Sequence, residues 1–391
     1  MQFIDGIPVW GEPVDAGALS QIQVCAKTAV RTALMADHHL GYAVPIGGVV
    51  AYDGQISPSG VGYDIACGNK AMLTDANAND VRANISTIMD DIFHIISFGM
   101  GRRNNESVDS DLFDDPAWKL EAVAPLKEMA RGQLGTVGGG NHYVDIFTDE
   151  EDRVWIGVHF GSRGLGHKTA TYFLKAGGAK DGVNVEPLVI DVDSSLGADY
   201  LACMELAGRY AYAGRDWVCD RVRRILGATS LSEVHNHHNY AWLEEHGGQK
   251  LWVVRKGATP AFPGQLGFVG GSMGEMSVIL SGMENEFALE SMYSTVHGAG
   301  RAMGRMEAKG TFNRKTGACK RPGKVTQEMM DEWVKNAGVT LRGADVDESP
   351  HAYKRLPDVL AAHEGMVLVI HALMPLGVAM AGKEIQDPYK D

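Results

Sequence analysis

The chain lacks several features that would have placed it in a particular class. No apolar run approaches the roughly 18 residues that a membrane-spanning helix needs, so no membrane is expected among its partners. Cysteines number only five, at Cys25, Cys67, Cys203, Cys219 and Cys319. An odd count without paired spacing excludes a disulfide framework and points to reduced thiols. The first residues, Met1-Gln2-Phe3-Ile4-Asp5, have neither the basic segment nor the apolar core of a signal peptide, and a cytoplasmic location is expected. Positive charge is also short. The 36 basic residues against 49 acidic ones leave a net charge of −13, which argues against broad electrostatic affinity for nucleic acid. A local basic groove is still allowed, because steering depends on where charges sit. Basic clusters stand at Arg102-Arg103, Arg221 to Arg224, Lys309 to Lys324 and Lys354-Arg355.

What is present is an ordinary enzyme-like composition, 391 residues with 45% apolar and 22% charged, and an excess of glycine, 48 against 14 prolines. Hydrophobic spacing predicts helices over 18–34, 79–93, 116–131 and 199–226, the last with Cys203, Leu206, Tyr210 and Trp217 in its core face. Pro116 suits a first helical turn and Gly132 a helix stop. Strands are expected at Tyr143 to Phe147, 153–160 and Lys250 to Arg255, followed by a helix to about His363 and a buried strand from Met366 to His371. The segment from Met35 to Gly48 reads as irregular. No repeat, linker or low-complexity stretch divides the chain, and its motif residues run from position 37 to 353. One domain over 1–391 that folds distant segments onto one site is therefore expected.

The centre of that expectation is Gly60-Val61-Gly62-Tyr63-Asp64-Ile65-Ala66-Cys67-Gly68. Glycines allow tight bends and close approach, so this turn can aim a carboxylate and a thiolate at one point. A hard oxygen beside a soft sulfur suits a borderline transition metal better than Ca²⁺ or Mg²⁺. Histidines recur in similar settings: His142 after Gly138-Gly139-Gly140-Asn141, His159 at a strand end, a cluster from His235 to His238, and His297 before Gly298-Ala299-Gly300. Asp64, Cys67 and three histidines can hold two ions with the sulfur between them, a known device for displacement at phosphorus. Asn141, Arg163 and Lys256 can take phosphate oxygens, although no Walker A run occurs. The small residues after His297 leave its imidazole open to attack phosphorus. From the residues alone the reading is metal-dependent phosphoryl or nucleotidyl transfer.

These turns, taken in order, resemble the RtcB family of RNA-splicing ligases over nearly the whole chain. The matching stretches are Asp37-His38-His39-Leu40-Gly41-Tyr42 with Pro45-Ile46-Gly47-Gly48, Gly60 to Gly68, Gly138 to His142, and His159 with Gly161 to His167. They continue with His238-Asn239, Arg255 to Thr259, Gly271 to Gly274, His297 to Arg301, and Ala352-Tyr353-Lys354. The resemblance implies an α+β fold with mixed β-sheets flanked by helices. It also implies an enzyme dependent on two Mn²⁺ ions and on GTP, joining RNA ends that carry a 3′-phosphate or 2′,3′-cyclic phosphate to 5′-hydroxyl ends. Asp64, Cys67, His142, His159 and His238 would bind manganese, with Cys67 shared. His238-Asn239-Tyr240-Ala241 fits the family's run better than His235 does, leaving His237 outside the ligand set. His297 would accept GMP. Asn141, Asp145, Arg163, Ser272, Ala299, Gly300, Tyr353 and Asp37 would surround the nucleotide. An activating helper protein is a further partner to test. The chain departs from the family in having Asp145 for a usual glutamate and in lacking the closing Lys-Gly. Lys383 and Lys390 are the lysines near that place. A divergent paralogue acting on 3′-phosphate ends and a non-catalytic RNA- or nucleotide-binding protein are the alternatives.

Overall fold

Strand pairing, more than helix propensity, shapes the first part of the chain. A computed structural model describes residues 1–180, 182–312 and 319–383. The first helix covers only Ala16–Cys25, capped by the Asp15 carboxylate on the Ala18 amide at 2.7 Å. The expected helix over 18–34 is therefore too long. After a turn at Lys27 to Ala29 the chain becomes the strand Arg31–His39, paired antiparallel with Ile46–Tyr52. Val30 and Thr32 are β-branched, and Ala33-Leu34-Met35-Ala36 is buried along its whole length, as a two-sided strand requires. The same pairing corrects the reading of Met35 to Gly48 as irregular.

A second correction falls at 116–131. Pro125 has no N–H to donate and disfavours helix in the residue before it. The segment breaks into single turns at Pro116–Lys119 and Ala124–Leu126, and the helix proper is Lys127–Gln133, one residue past Gly132. The helix at Ala78–Ile95 and the long helix Ser195–Ile225 stand where the periodicity placed them.

Two large sheets carry the mixed α+β architecture. The first has the strand order Gln2–Ile4, Ile7–Val9, Arg31–His39, Ile46–Tyr52, Gln249–Lys256 and Asn239–His246. The second runs Ser230–His237, Gly68–Thr74, Val154–Phe160, Tyr143–Thr148, Val367–Met380, Ser277–Gly282 and Leu266–Val269, with Thr340–Arg342 added parallel to Val367–Met380. Helix Ala78–Ile95 and the end of Ser195–Ile225 cover one face of the second sheet through Val81, Met89, Ile92, Val218 and Val222 packed on Ile146, Ile156 and Val158. The first part of the long helix joins the core beside the first sheet, with Tyr200, Leu206 and Tyr210 against Phe173 and Leu34. Ser230–His237 and Asn239–His246 are consecutive in the chain yet lie in different sheets, so His238 marks the crossing. All five cysteines are free thiols.

The strand expected to be buried from Met366 is Val367–Met380, and its start is open. Leu368 and Val369 are 54% and 43% exposed. The physical reason is one-sided pairing: Ser277–Gly282 flanks this half, while Tyr143–Thr148 pairs only from Met374 onward.

One buried histidine sets an acid limit on stability. His363 is fully buried against Trp10, and its Nε2 accepts from the Ala36 amide at 3.2 Å. Burial holds its pKa down at about 4, below an unfolded value of about 6.5. Its stabilising contribution is complete above pH ~6.5 and is lost as pH falls towards ~4, because only the unfolded chain takes the proton there. The loss reaches roughly 3 kcal/mol by linkage. Urea titrations at pH 7 and pH 4.5 should show it, and His363→Gln, which keeps an acceptor for Ala36, should flatten the slope.

Candidate active site

The registers of the second sheet bring four functional turns to one end. Gly68 opens its strand opposite Phe160, Asn69 lies opposite His159, Tyr143 opposite His159, and Gly68 opposite His237. Antiparallel neighbours alternate starts and finishes, so Cys67, His142, His159 and His238 emerge together although they span 171 positions (238 − 67) of sequence. The Cys67 sulfur is 3.7 Å from His142 Nε2 and 3.8 Å from His159 Nε2. These three donor atoms lie within 4.8 Å of one another, a grouping able to hold a metal ion. Asp64 Oδ2 is 3.1 Å from His142 Nε2. The His238 ring is 5.2 Å from that of His159, and its buried Nδ1 has no hydrogen-bond partner among the described residues.

Electrostatics favour ligation. Burial pushes the Cys67 thiol well above its usual range, and the neighbouring Asp64 adds to this. Burial works against the Asp64 anion too, but His142 and Arg163 outweigh it and hold the carboxyl near 2. Burial keeps His159 and His238 neutral, as imidazole ligands must be. An S, O and N donor set, with buried imidazoles and a carboxylate already ionised, fits a borderline divalent cation, whose charge would lower the thiol in turn. His159 Nδ1 is 2.7 Å from Asn69 Oδ1, which sets the ring with Nε2 facing the sulfur.

Packing around the cluster leaves no spare room. A Cβ on Gly138 would lie 2.1 Å from His142 Nδ1 and 2.3 Å from an Arg163 nitrogen. Gly138→Ala should therefore displace both side chains and lower metal affinity at least about tenfold, the scale seen when supports of a ligand are lost. Unchanged binding in a metal titration would show that the turn tolerates movement. The same contact places the Arg163 guanidinium beside His142, while Asn141 is half-buried on the adjoining turn.

His297 stands on the other side of His238, ring centroids 4.9 Å apart. It follows the short strand Ser294–Val296, which pairs with Ala258–Pro260. Its Nδ1 and its backbone N–H both donate to Asp37 Oδ2, at 2.5 and 2.8 Å. Asp37 is fully buried, yet its carboxyl lies below the usual range because the His297 ring and its hydrogen bonds outweigh burial. The pair leaves Nε2 of His297 as the nitrogen with a lone pair. Gly300 has φ +74°, and a Cβ there would meet the Asp37 carbonyl oxygen at 2.2 Å, so the His297 turn can approach the Asp37 strand only with glycine.

The remaining expected residues gather around this turn. Gly270 bridges to Gly298, and Arg301 to Tyr353, which brings the Ser272 loop and the Tyr353 segment alongside. Ser272 donates to Glu275, and Tyr353 to Glu348, with Arg301 on the same phenol oxygen at 2.9 Å. Ala299 is buried. Asp145 is buried on Tyr143–Thr148, its Oδ1 has no partner among the described residues, and burial alone raises its pKa well above the usual range. Lys256 turns its Nζ onto the carbonyls of Tyr42 and Ser59, at 2.7 and 3.3 Å, and burial lowers it to about 8. Lys383 is exposed, and Lys390 lies outside the described residues.

Asn69 and Arg215 were not singled out in the sequence. Asn69 carried no signal beyond its place in a buried strand. Arg215 did carry one, an arginine in register with Ala207, Ala211 and Cys219 on a buried helix face.

Fold and site together define a class: a mixed α+β protein whose sheet ends gather a thiol, a carboxylate and imidazoles beside a histidine backed by a buried aspartate. The sequence model for the tRNA-splicing ligase RtcB matches residues 19–123 and 116–381. The chain is 32% identical to the RNA-splicing ligase RtcB of Escherichia coli K12 over 409 aligned positions, covering 94% of this chain and 95% of that protein. It is 31% identical to the tRNA-splicing ligase RtcB of Archaeoglobus fulgidus, covering 90% and 87% of the two chains. The Thermococcus kodakarensis tRNA-splicing ligase RtcB is also 31% identical, with 88% and 86% covered. The chain belongs to the RtcB family. Among its described residues no helix is long and apolar enough to cross a membrane.

Proposed function

We propose that this chain is a Mn²⁺- and GTP-dependent RNA ligase that joins a 3′-phosphate or 2′,3′-cyclic phosphate end to a 5′-hydroxyl end in the cytoplasm. The observation that carries the reading is the His297–Asp37 pair beside His238, whose ring lies 4.9 Å from that of His297 and 5.2 Å from that of His159 in the Cys67 cluster. Asp64, Cys67, His142, His159 and His238 would hold the metal, whose charge offsets the negative charge that builds on phosphate oxygens during displacement.

His297 Nε2 forms a bond to the α-phosphorus of GTP, and pyrophosphate leaves. Asp37 keeps the Nδ1 proton in place and steadies the positive charge that develops on the ring. A cyclic end would first take up water, breaking its bond to the 2′-oxygen; the RNA 3′-phosphate then takes GMP from His297, and the 5′-hydroxyl displaces GMP from the activated end. Arg163 and Asn141 would hold phosphate oxygens, and Ser272, Ala299, Gly300 and Tyr353 would surround the nucleotide. Asp145 would contact the nucleotide from Tyr143–Thr148. One domain over 1–391 is consistent with a site drawn from strands of both large sheets.

The test is incubation with Mn²⁺ and GTP labelled at the α-phosphate. A protein–GMP adduct should form and should be absent in His297→Ala; equal labelling of the variant would remove the nucleophile assignment. An adduct without joining of two RNA halves would favour a divergent paralogue that caps or processes 3′-phosphate ends. The exposed Lys383 and the shorter Asp145 bear on which nucleotide the site takes.

A further inference from the structure

Arg215 stands in the middle of the long helix, in line with Ala207, Ala211 and Cys219, and is 0% exposed. Among the described residues it forms no ion pair. Its Nη1 donates to the carbonyls of Ala66, at 3.1 Å, and Phe160. Nη2 reaches His237 Nδ1 at 3.0 Å, and Nε donates to His235 Nε2 at 2.8 Å. Ala66 directly precedes Cys67, Phe160 directly follows His159, and His237 directly precedes His238. One guanidinium thus holds the residue next to three proposed ligands, one in the turn before Gly68–Thr74 and two on other strands.

Two further facts support a positioning role. Ala66 has φ +60°, a left-handed conformation that costs a non-glycine residue about 1–2 kcal/mol. It is held there from both sides, its amide on Asn239 O at 2.7 Å and its carbonyl on Arg215. A charge buried without a carboxylate is costly, and here its planar fork is matched on both edges by acceptors that belong to the ligand turns. Tyr212 covers the remaining face, 5.3 Å from the guanidinium carbon.

We propose that Arg215 is the positioning residue of the metal centre, setting the turns that carry Cys67, His159 and His238 in ligating register. The proposal rests on the reading that these three residues bind a metal ion. Lysine cannot replace it, because one ammonium on a flexible stem does not span acceptors on two strands and a turn.

The experiment uses the full chain with Mn²⁺ followed by calorimetry and Co²⁺ followed by the near-ultraviolet thiolate band. Wild type should bind both ions and show the band, and Cys67→Ser should lack it. Absence of both in wild type would overturn the metal reading and Arg215 with it. Arg215→Met and Arg215→Lys should each lower affinity about 10–100-fold, and at saturating Co²⁺ the band itself should shift or weaken. Tyr210→Phe, on the same helix, loses a 2.8 Å bond to Ala130 and controls for lost stability; it should leave affinity and band unchanged. Wild-type affinity and an unaltered band in whichever Arg215 variant folds would overturn the proposal while leaving the metal reading in place.

Discussion

Asp37→Asn should slow formation of the protein–GMP adduct by about 10²–10⁴-fold while the chain stays folded, the range for removing the partner that orients a catalytic histidine. The carboxylate accepts from His297 Nδ1, from the His297 amide and, at 3.4 Å, from the Gly298 amide. All three bonds end on Oδ2, so an asparagine oxygen in that place can still accept them but carries no charge to steady the ring as it becomes positive. An NH₂ group in that place would instead face the two backbone N–H groups and donate to Nδ1, which moves the ring proton to Nε2 and removes the lone pair that attacks phosphorus. Single-turnover labelling with GTP, beside a thermal unfolding curve, separates this from unfolding. Labelling within a few-fold of wild type would mean that the pair is structural. Asp37 was expected around the nucleotide; in the structure its contacts go to His297, and this prediction follows from that difference.

Cys67→Ser should lower metal content and ligation together, by about 100-fold or more in affinity, because a ligand is lost and not merely its support. Serine is nearly isosteric, and Cys67 is buried in a turn that Asp64 and Gly68 define, so the fold should persist. Its hydroxyl does not ionise as a thiol does and offers a hard neutral oxygen in place of a soft anion. Equilibrium dialysis against Mn²⁺, with RNA joining assayed in parallel, decides the matter. Full activity with serine would take sulfur out of the mechanism. The same chemistry predicts that oxidants inactivate wild type, and that softer ions such as Zn²⁺ displace Mn²⁺, with the serine variant less sensitive to both.

Most of the proposed ligand set is legible because its members sit in local signals. Asp64 and Cys67 share one glycine turn, His142 follows three glycines, and His159 ends an apolar strand. The choice of His238 over His235 needed the family's run of residues, and geometry now supplies a reason. His235 and His237 share one face of Ser230–His237 and both turn to Arg215, while His238 lies at the crossing between the sheets. The first helix reads too long in the sequence because Ala26, Ala29 and Ala33 continue its spacing, although only Ala33 lies in the strand that follows. The exposed start of Val367–Met380 was missed because an apolar run does not reveal whether a second strand pairs beside it.

By itself the sequence determined which chemical groups exist and in what local frame: a thiol and a carboxylate three residues apart, histidines at turns with room around them, and thiols with no pairing pattern. Turn chemistry and side-chain type are short-range properties, so they can be read from a few consecutive residues. Only the tertiary structure decided that Asp37 meets His297, that four strand ends share one edge, and that a single buried arginine ties three of them together. Those facts depend on strand register and on contacts between residues from 22 to 260 positions apart, and packing of the whole chain is what settles them.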